Sequence, residues 1–192
     1  RLIVTTKPGQ MFLADRAGGD PVEVSGLPKV EHAGQNGLLD VALAPDFSDS
    51  RRIYFTYVEP GDGGSSLALA RATLTEQQGK ARLDGLEVIW RQMPKGKGGQ
   101  PGGIIAFAPD GKSLFLSSGD RMRPKTAQDP DLALGKVLHL TLDGKPAPGN
   151  PEANAGGVRA ETWSTGHRNP YGLAFAPDGR LWLNEMGPKG GE

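Results

Sequence analysis

The chain has 192 residues, with 22 lysines and arginines balanced by 22 aspartates and glutamates. This zero net charge gives no support to nucleic-acid binding, which usually needs a basic face. Cysteine is absent, which excludes disulfides, thiolate metal sites and cysteine nucleophiles. No apolar run approaches the about 18 residues that a membrane-spanning helix needs. Glycine and proline contribute 45 residues (29 plus 16), well above an average share of about 12%, so the sequence predicts many short elements joined by turns.

The predicted elements start at the first residues, because the run 1–6, with its apolar residues at 2–4, reads as a strand already under way. The other end, 187–192, stops inside a glycine-rich loop. Both ends therefore indicate a fragment of a longer protein, and the missing signal peptide says nothing about export. The length suits one domain with a sizeable core. Residues 1–192 are thus predicted to form one partial domain, truncated at both ends.

A short pattern recurs three times along the chain. An apolar run ends in Ala-Pro-Asp at 44–46, 108–110 and 176–178, and a second apolar run follows each copy. The prolines lie 64 and 68 residues apart (45 to 109, 109 to 177). Self-similarity at a nearly constant spacing is typical of repeat architectures.

Each repeat unit is predicted to consist of β-strands, because its apolar runs are rich in β-branched and aromatic residues and are joined by turn signals such as Asp110-Gly111. Four strands in about 65 residues are typical of a propeller blade. The sequence therefore predicts an all-β β-propeller with about three blades, and the alternative is a β-sandwich with coincidental Ala-Pro-Asp turns. Further strands are predicted at 67–74, 86–91, 137–142 and 160–165, and single helical turns at 75–81 and 129–134.

About three blades do not close a ring, which typically needs four to eight. This supports truncation or assembly with another chain, so a homo-oligomer stays open as a prediction.

The loop before the third repeat is the densest polar cluster of the sequence. Residues 164–172 contain His167, Arg168 and Asn169, and in a propeller such loops converge on the central channel. Arginine offers a planar fork of donors suited to carboxylates, and asparagine can both donate and accept. The alternative for His167 is a structural histidine that bonds a backbone carbonyl.

Three other loops carry candidate site residues. The loop 34–40 leads into the first repeat and contains Gln35, although its Asn-Gly pair is first of all a turn signal. The loop 185–188 offers successive backbone carbonyls, which suit a hard cation such as Ca²⁺, although Gly-Pro usually marks a turn. The stretch 119–129 contains Asp120 and Gln128, and a solvated loop with surface ion pairs is its alternative.

Taken together, these motifs resemble the soluble sugar dehydrogenases that use pyrroloquinoline quinone (PQQ), the glucose/sorbosone or aldose sugar dehydrogenase family. The most specific match is Gly-His-Arg-Asn-Pro at 166–170, with Gly-Pro shortly after it. The matching stretches follow the family's order and cover nearly the whole chain; they are 34–39, 44–47, 135–138, 142–144, 150–151, 166–170 and 185–188.

The resemblance implies a six-bladed propeller, of which this chain would supply about three four-stranded blades, exported to the periplasm or secreted. It implies a PQQ-dependent oxidoreductase that oxidises the anomeric hydroxyl of an aldose sugar to a lactone, with Ca²⁺ assisting the quinone. The natural electron acceptor stays unknown. By the same resemblance, Arg168 and Asn169 would contact the quinone, and the carbonyls of Gly187 and Pro188 would ligate Ca²⁺.

The substrate side of the implied site contains one serious departure. Gln35 would face the sugar and Gln128 would line the same site, but Gln100 stands where the family has a catalytic histidine, and Ile104 replaces the usual arginine. An imidazole with a pKa near 6.5 can accept the sugar proton, whereas an amide has no useful basicity. A missing general base typically costs about 10²–10⁴ in rate.

Two alternatives follow from Gln100. Either the protein is a catalytically impaired propeller that acts as a sugar- or protein-binding module, or another base serves. Asp120 would be that base only if its loop bends inward, and nothing shows that His32, near Gln35 in sequence, faces the site. A metal-dependent propeller lactonase is disfavoured, because acidic metal ligands are not evident near the predicted channel.

Overall fold

The computed structural model of the chain describes residues 1–187 and 190–191, and β-strands dominate it. Two short helices, α1 (Phe47–Ser50) and α2 (Gly157–Glu161), and a 3-10 helix at Pro124–Gln128 interrupt the strands. None of the helices in this described part is long and apolar enough to cross a membrane. The strands are β1 (Leu2–Thr5), β2 (Met11–Ala14), β3 (Val22–Ser25), β4 (Leu38–Leu43), β5 (Arg52–Gly61), β6 (Gly64–Gln77), β7 (Lys80–Arg91), β8 (Gly102–Phe107), β9 (Ser113–Ser118), β10 (Lys136–Thr141), β11 (Thr162–Thr165), β12 (Pro170–Phe175), β13 (Leu181–Gly187) and β14 (Gly190–Gly191).

The strands form three sheets. The first has the order β1-β2-β3-β7-β6-β5-β4, the second β11-β10-β9-β8 and the third β12-β13-β14. Neighbouring strands are antiparallel, except that β3 runs parallel to β7. The runs β4–β7 and β8–β11 are therefore four-stranded meanders, the unit of a propeller blade. The predicted all-β propeller fold is confirmed.

The three Ala-Pro-Asp repeats occupy equivalent places, between the first two strands of a meander. They join β4 to β5, β8 to β9 and β12 to β13. In the second and third copies, the aspartate side chain accepts a hydrogen bond from a backbone N–H two residues on, at Lys112 (3.0 Å) and Arg180 (3.1 Å). The glycine after each aspartate has a positive φ, as the Asp-Gly signal predicts.

Three local predictions are wrong. Residues 75–81 form no helical turn, because β6 runs on to Gln77 and a tight turn at Gln78–Gly79, with φ of 50° and 76°, leads into β7. The helical turn expected at 129–134 is replaced by the 3-10 helix that ends at Gln128. The strand expected at 160–165 begins only at Thr162, because α2 precedes it. At 75–81 the pairing of β6 with β7 overrides a weak local preference.

Apolar contacts stack the sheets face to face. The core between the first two sheets includes Tyr54, Leu69, Trp90 and Leu116, and a smaller core around Phe115 packs the second sheet against the third. Because of this stacking, β8 packs against both β4 and β12, the inner strands of the neighbouring sheets. The loops that enter these three strands therefore meet at one end of the molecule.

Candidate functional site

Hydrogen bonds tie together the loops that precede β4, β8 and β12. The backbone N–H of Gln100 donates to Gln35 Oε1 over 2.7 Å, and the backbone N–H of Gly102 donates to Asn169 Oδ1 over 3.0 Å. The backbone N–H of Asp120 donates to the Arg168 carbonyl over 2.8 Å, which adds the loop after β9. Residues far apart in the sequence are thus brought into one site, as the propeller prediction requires.

A cavity of about 490 Å³ opens at this junction. Gln128, His167 and Arg168 line it, as does Gln100, although Gln100 itself is only 5% exposed. Gln35 contributes through its hydrogen bond to the Gln100 backbone. The full lining is Gln100, Asp120, Met122, Pro124, Ala127, Gln128, Gly166, His167 and Arg168.

Gln100 links a carboxylate to a guanidinium. With its amide oriented to satisfy both neighbours, Gln100 Nε2 donates to Asp120 Oδ1 over 2.7 Å, and its Oε1 accepts from Arg168 Nη2 over 2.6 Å. The backbone of Gln100 has a φ of 54°, in the left-handed region that side-chain-bearing residues rarely adopt. Such a conformation persists only where the surroundings impose it, and it often marks a functional site.

Asp120 lies in the cavity wall, so its loop does bend toward the site. The residue is 2% exposed, and burial raises the pKa of its carboxyl above the usual value. A hydrogen bond of 2.8 Å from the backbone N–H of Met122 and the charge of Arg168 oppose this rise, while the charge of Glu185 adds to it.

Glu185 organises the loop 166–170, and the sequence offered no role for its carboxylate. Its Oε2 accepts from the backbone N–H groups of Arg168 (2.7 Å) and Asn169 (3.0 Å), and its Oε1 lies 3.2 Å from His167 Nδ1. The other ring nitrogen of His167 is 2.7 Å from Ser164 Oγ. His167 is therefore held by two side chains, and not by a backbone carbonyl as the structural alternative supposed.

Lys136 is a second residue that the sequence did not single out. It is fully buried in β10, and its Nζ donates to the carbonyls of Ala127 and Leu134, both at 2.9 Å, and of Thr126 at 3.4 Å. Burial lowers its pKa to about 8. Because these carbonyls belong to the segment that carries Gln128, the buried ammonium fixes one wall of the cavity.

The donor set of the cavity fits a carboxylate-bearing quinone. Arg168 donates from Nη1 to the Met186 carbonyl over 2.8 Å and from Nη2 to Gln100, and the ion pairs found among residues 1–187 do not involve its guanidinium. Gln100 separates Arg168 from the Asp120 carboxylate, so an anionic group in the cavity would meet a guanidinium that forms no direct ion pair within residues 1–187. Asn169 is buried with its Oδ1 occupied by Gly102, so its amide nitrogen is the group left for a ligand.

The predicted calcium ligands fall at the edge of the described chain. Gly187 is buried and ends β13, where it pairs with Gly190, and Pro188 lies outside the described residues. Within the described part, no group of three or more His, Asp or Glu side chains is arranged to hold a metal ion. A site built from backbone carbonyls does not require such a group, so the calcium site stays a prediction.

Comparisons with known proteins show similarity in sequence and in fold. The sequence profile described as Glucose / Sorbosone dehydrogenase matches residues 1–192. Aldose sugar dehydrogenase YliI of Escherichia coli (strain K12) is 41% identical over 195 residues, which cover 100% of this chain and 52% of the relative. The crystal structure of the soluble aldose sugar dehydrogenase from Escherichia coli in the apo-form has a TM-score of 0.90 and 40% identity, covering 99% of this chain and 55% of that one. The PQQ-bound aldose sugar dehydrogenase of Streptomyces coelicolor has a TM-score of 0.82 and 31% identity, covering 96% and 53%.

The fold and these similarities place the chain among β-propellers of the sugar-dehydrogenase class. The chain belongs to the glucose/sorbosone dehydrogenase family. The predicted family is confirmed, and the chain spans about half the length of the relatives it matches. The roles of the individual site residues stay predictions.

Proposed function

We propose that the whole protein is a PQQ-dependent oxidoreductase that oxidises the anomeric hydroxyl of an aldose sugar to a lactone, with Ca²⁺ assisting the quinone. The observation that carries this proposal is that direct hydrogen bonds bring together the loops of Gln35, Gln100, Arg168 and Asn169, and that Gln100 and Arg168 line one cavity there. Relatives named as sugar dehydrogenases, one of them PQQ-bound, support the substrate class and the cofactor.

The chain's own residues would bind and orient. Arg168 would hold a carboxylate or carbonyl oxygen of the quinone, because arginine binds such groups through paired N–H donors. Asn169 would donate from its amide nitrogen, fixed in position by the bond between its Oδ1 and Gly102. Glu185 keeps both residues in place through their backbone N–H groups. When bound, the quinone supplies a two-electron hydride acceptor, and Ca²⁺ acts as a Lewis acid.

The sugar would occupy the side of the cavity that Gln128 lines, and it would reach Gln35 next to the Gln100 backbone. Amide groups suit this role, because each both donates to and accepts from hydroxyl groups. The carbonyls of Gly187 and Pro188 are the proposed calcium ligands, since this cation prefers oxygen. We further propose export to the periplasm or secretion, which cell fractionation tests through the location of the activity.

The direct test is a titration of the natural protein with PQQ and Ca²⁺, followed by reduction of an artificial electron acceptor after glucose is added. The quinone should bind, and Arg168→Ala should weaken its binding at least tenfold. Arg180→Ala is the matched control, because Arg180 pairs with Asp178 at the surface. No quinone binding by the wild-type protein would refute the proposal.

The second candidate function is a propeller that binds a sugar or a protein without catalysis. The observation in its favour is Gln100, which cannot act as the base that a histidine would supply. Quinone binding without turnover in the same titration would support this candidate.

A further inference from the structure

We propose that the Asp120 carboxylate accepts the proton of the sugar hydroxyl, and that Gln100 is a positioning residue that holds this carboxylate beside Arg168. This inference rests on the proposed function and deepens it, because it assigns the base that the chain lacks at position 100. The observation behind it is the placement of Asp120 in the wall of the same cavity as Gln100 and Arg168.

The reaction needs a base for a simple reason of balance. Oxidation of the anomeric carbon breaks one O–H and one C–H bond and forms the carbonyl of the lactone. The C–H hydrogen leaves with two electrons as a hydride to the quinone, which is reduced, and the hydroxyl proton leaves to a base. An amide is not that base, so a carboxylate or an imidazole in the cavity must take the proton.

The hydrogen bonds of Asp120 leave one oxygen for this role. Oδ1 accepts from the backbone N–H of Met122 over 2.8 Å and from Gln100 Nε2 over 2.7 Å. Within the described residues, no hydrogen bond reaches Oδ2. The carboxylate is thus fixed through one oxygen, which is the arrangement a positioned base requires.

The other two titratable groups nearby are already engaged. Glu185 accepts hydrogen bonds from two backbone N–H groups and faces His167, so both of its oxygens have partners. His167, which lines the cavity, has both ring nitrogens within hydrogen-bond distance of Glu185 and Ser164. Asp120 is therefore the better placed proton acceptor of the three.

The charges around Asp120 tune its basicity. Burial raises the pKa of its carboxyl, the negative charge of Glu185 adds to the rise, and the positive charges of Arg168 and Arg123 oppose it. Arg121, the next residue, turns its guanidinium toward Ser65 and Gly98, and His167 is the remaining titratable group of the lining. A carboxylate with a raised pKa accepts a proton more readily than an ordinary aspartate.

The test compares Asp120→Asn with wild type in the natural protein, meaning this chain with any flanking sequence that its gene encodes. We expect turnover with glucose to fall by about 10²–10⁴-fold. The quinone affinity, followed by absorbance titration, should change by less than about threefold, because the amide keeps the shape of the side chain. Asp129→Asn is the matched control, since Asp129 belongs to the same loop and lies outside the cavity lining.

The pH profile separates a base from a merely structural residue. Wild-type kcat should fall as the pH drops through the raised pKa of Asp120, above the usual 3.8, and this acid limb should be absent from the residual activity of Asp120→Asn. Gln100→His should introduce a second limb near the imidazole pKa of about 6.5. A residual activity that keeps the wild-type acid limb would overturn the proposal.

The outcomes are distinguishable from those of the proposed function. Loss of quinone binding in wild type removes both, whereas full turnover by a folded Asp120→Asn protein removes only the assignment of Asp120. If Asp120→Asn does not fold, Asp120→Ser and the wild-type acid limb decide the matter. A wild-type kcat that is flat down to pH 3.8 would contradict the assignment, because the base would then not be protonated in that range.

Discussion

At the residue scale, the site depends on charged side chains that the fold has buried. Lys136 and Asp120 are both nearly inaccessible to solvent. Burial lowers the pKa of Lys136 and raises the pKa of Asp120, so it favours the neutral form of each side chain. Such residues cost stability at neutral pH unless hydrogen bonds compensate. Lys136 is compensated by three carbonyls of the loop that it supports.

The first prediction concerns the pH dependence of stability. Folded Lys136 releases its proton near pH 8, whereas the unfolded chain keeps it up to the usual 10.5. Between these values the unfolded state binds more protons, so the contribution of this group to the free energy of unfolding rises with pH. Relative to Lys136→Met, wild type should gain about 1–3 kcal/mol across this range. Urea unfolding of both proteins at several pH values measures the difference, and parallel curves would contradict the prediction.

At the same scale, the sequence predicts part of the site and misses the rest. Gln35, Gln100, Arg168 and Asn169 could be proposed because their motifs resemble those of a known family. Glu185 could not, since its role depends on backbone N–H groups brought to it by the pairing of Pro170 with Glu185. Lys136 reads in the sequence as an ordinary polar residue at a strand end, and only the folded loop shows its carbonyl partners.

At the scale of elements, the loops of the site are fixed by a carboxylate and by close backbone packing. Glu185, on β13, accepts from two consecutive backbone N–H groups of the loop before β12. Gly119, after β9, packs against the carbonyl of Gln100, and its N–H donates to the Pro101 carbonyl over 3.0 Å. These contacts set the positions of Arg168 and Gln100 respectively.

The second prediction tests Glu185. Glu185→Gln retains the size of the side chain but replaces one acceptor oxygen with an NH₂ group. We expect a loss of about 1–3 kcal/mol in the free energy of unfolding, because buried hydrogen bonds to a carboxylate are stronger than those to an amide. Quinone affinity should fall as well, since Arg168 loses its support. Glu87→Gln, at an exposed ion pair with Arg71, should leave the quinone affinity unchanged.

The third prediction tests the close approach at Gly119. A Cβ there would overlap the Gln100 carbonyl, so Gly119→Ala should cost about 1–3 kcal/mol and weaken quinone binding. Gly179→Ala is the control, because Gly179 has open space around it although its φ is +82°. This control should lower stability by about 1–2 kcal/mol and leave the quinone affinity unchanged. Equal quinone affinity in the two variants would contradict the account.

The elements themselves were predictable where turn chemistry and strand alternation agree. The Asp-Gly hairpins and the repeated strand pairs follow from local sequence. The conformation of segment 75–81 could not be predicted in this way, because its polar residues favour neither helix nor strand strongly. It comes from the pairing of β6 with β7. Likewise α2 precedes β11 where an uninterrupted strand was expected.

At the scale of the whole molecule, polar contacts supplement the apolar cores that join the sheets. Trp90 on β7 donates from Nε1 to Glu161 Oε2 over 2.8 Å, and Tyr54 donates to the Leu142 carbonyl over 3.0 Å. Arg71 reaches the same carbonyl over 2.9 Å. These contacts fix the first and second sheets relative to one another, and this arrangement brings Gln35 to Gln100.

The fourth prediction concerns the Trp90–Glu161 contact. Burial raises the pKa of Glu161, and the hydrogen bond from Trp90 opposes the rise. In Trp90→Phe the ionised carboxylate loses this donor, so the variant should be destabilised by about 1–3 kcal/mol at pH 7. The pKa of Glu161 in the folded protein lies above the usual 4.5, and the loss of Trp90 raises it further, so the deficit should shrink as the pH falls from 7 toward 4.5 and the folded carboxyl becomes protonated in both proteins. A deficit that is independent of pH would contradict this interpretation.

The fold class could be predicted at this scale from the repeat, because only a few architectures are built from three similar units at nearly equal spacing. The pairing of β3 with β7, which attaches β1–β3 to the first meander, could not, since nothing local to either strand encodes it. The meeting of the site loops could be predicted from the propeller fold. The place of Asp120 in the cavity lining could not, because it depends on the path of the loop after β9.

The central claim is that the cavity beside Arg168 and Asn169 holds the quinone of a sugar dehydrogenase. Crystals of the natural protein grown with PQQ and Ca²⁺ test it most directly. We predict quinone density in contact with the Arg168 guanidinium and the Asn169 amide nitrogen, with Asp120 and Gln35 bordering the open side. Quinone bound elsewhere, with Arg168 and Asn169 free of it, would contradict the account.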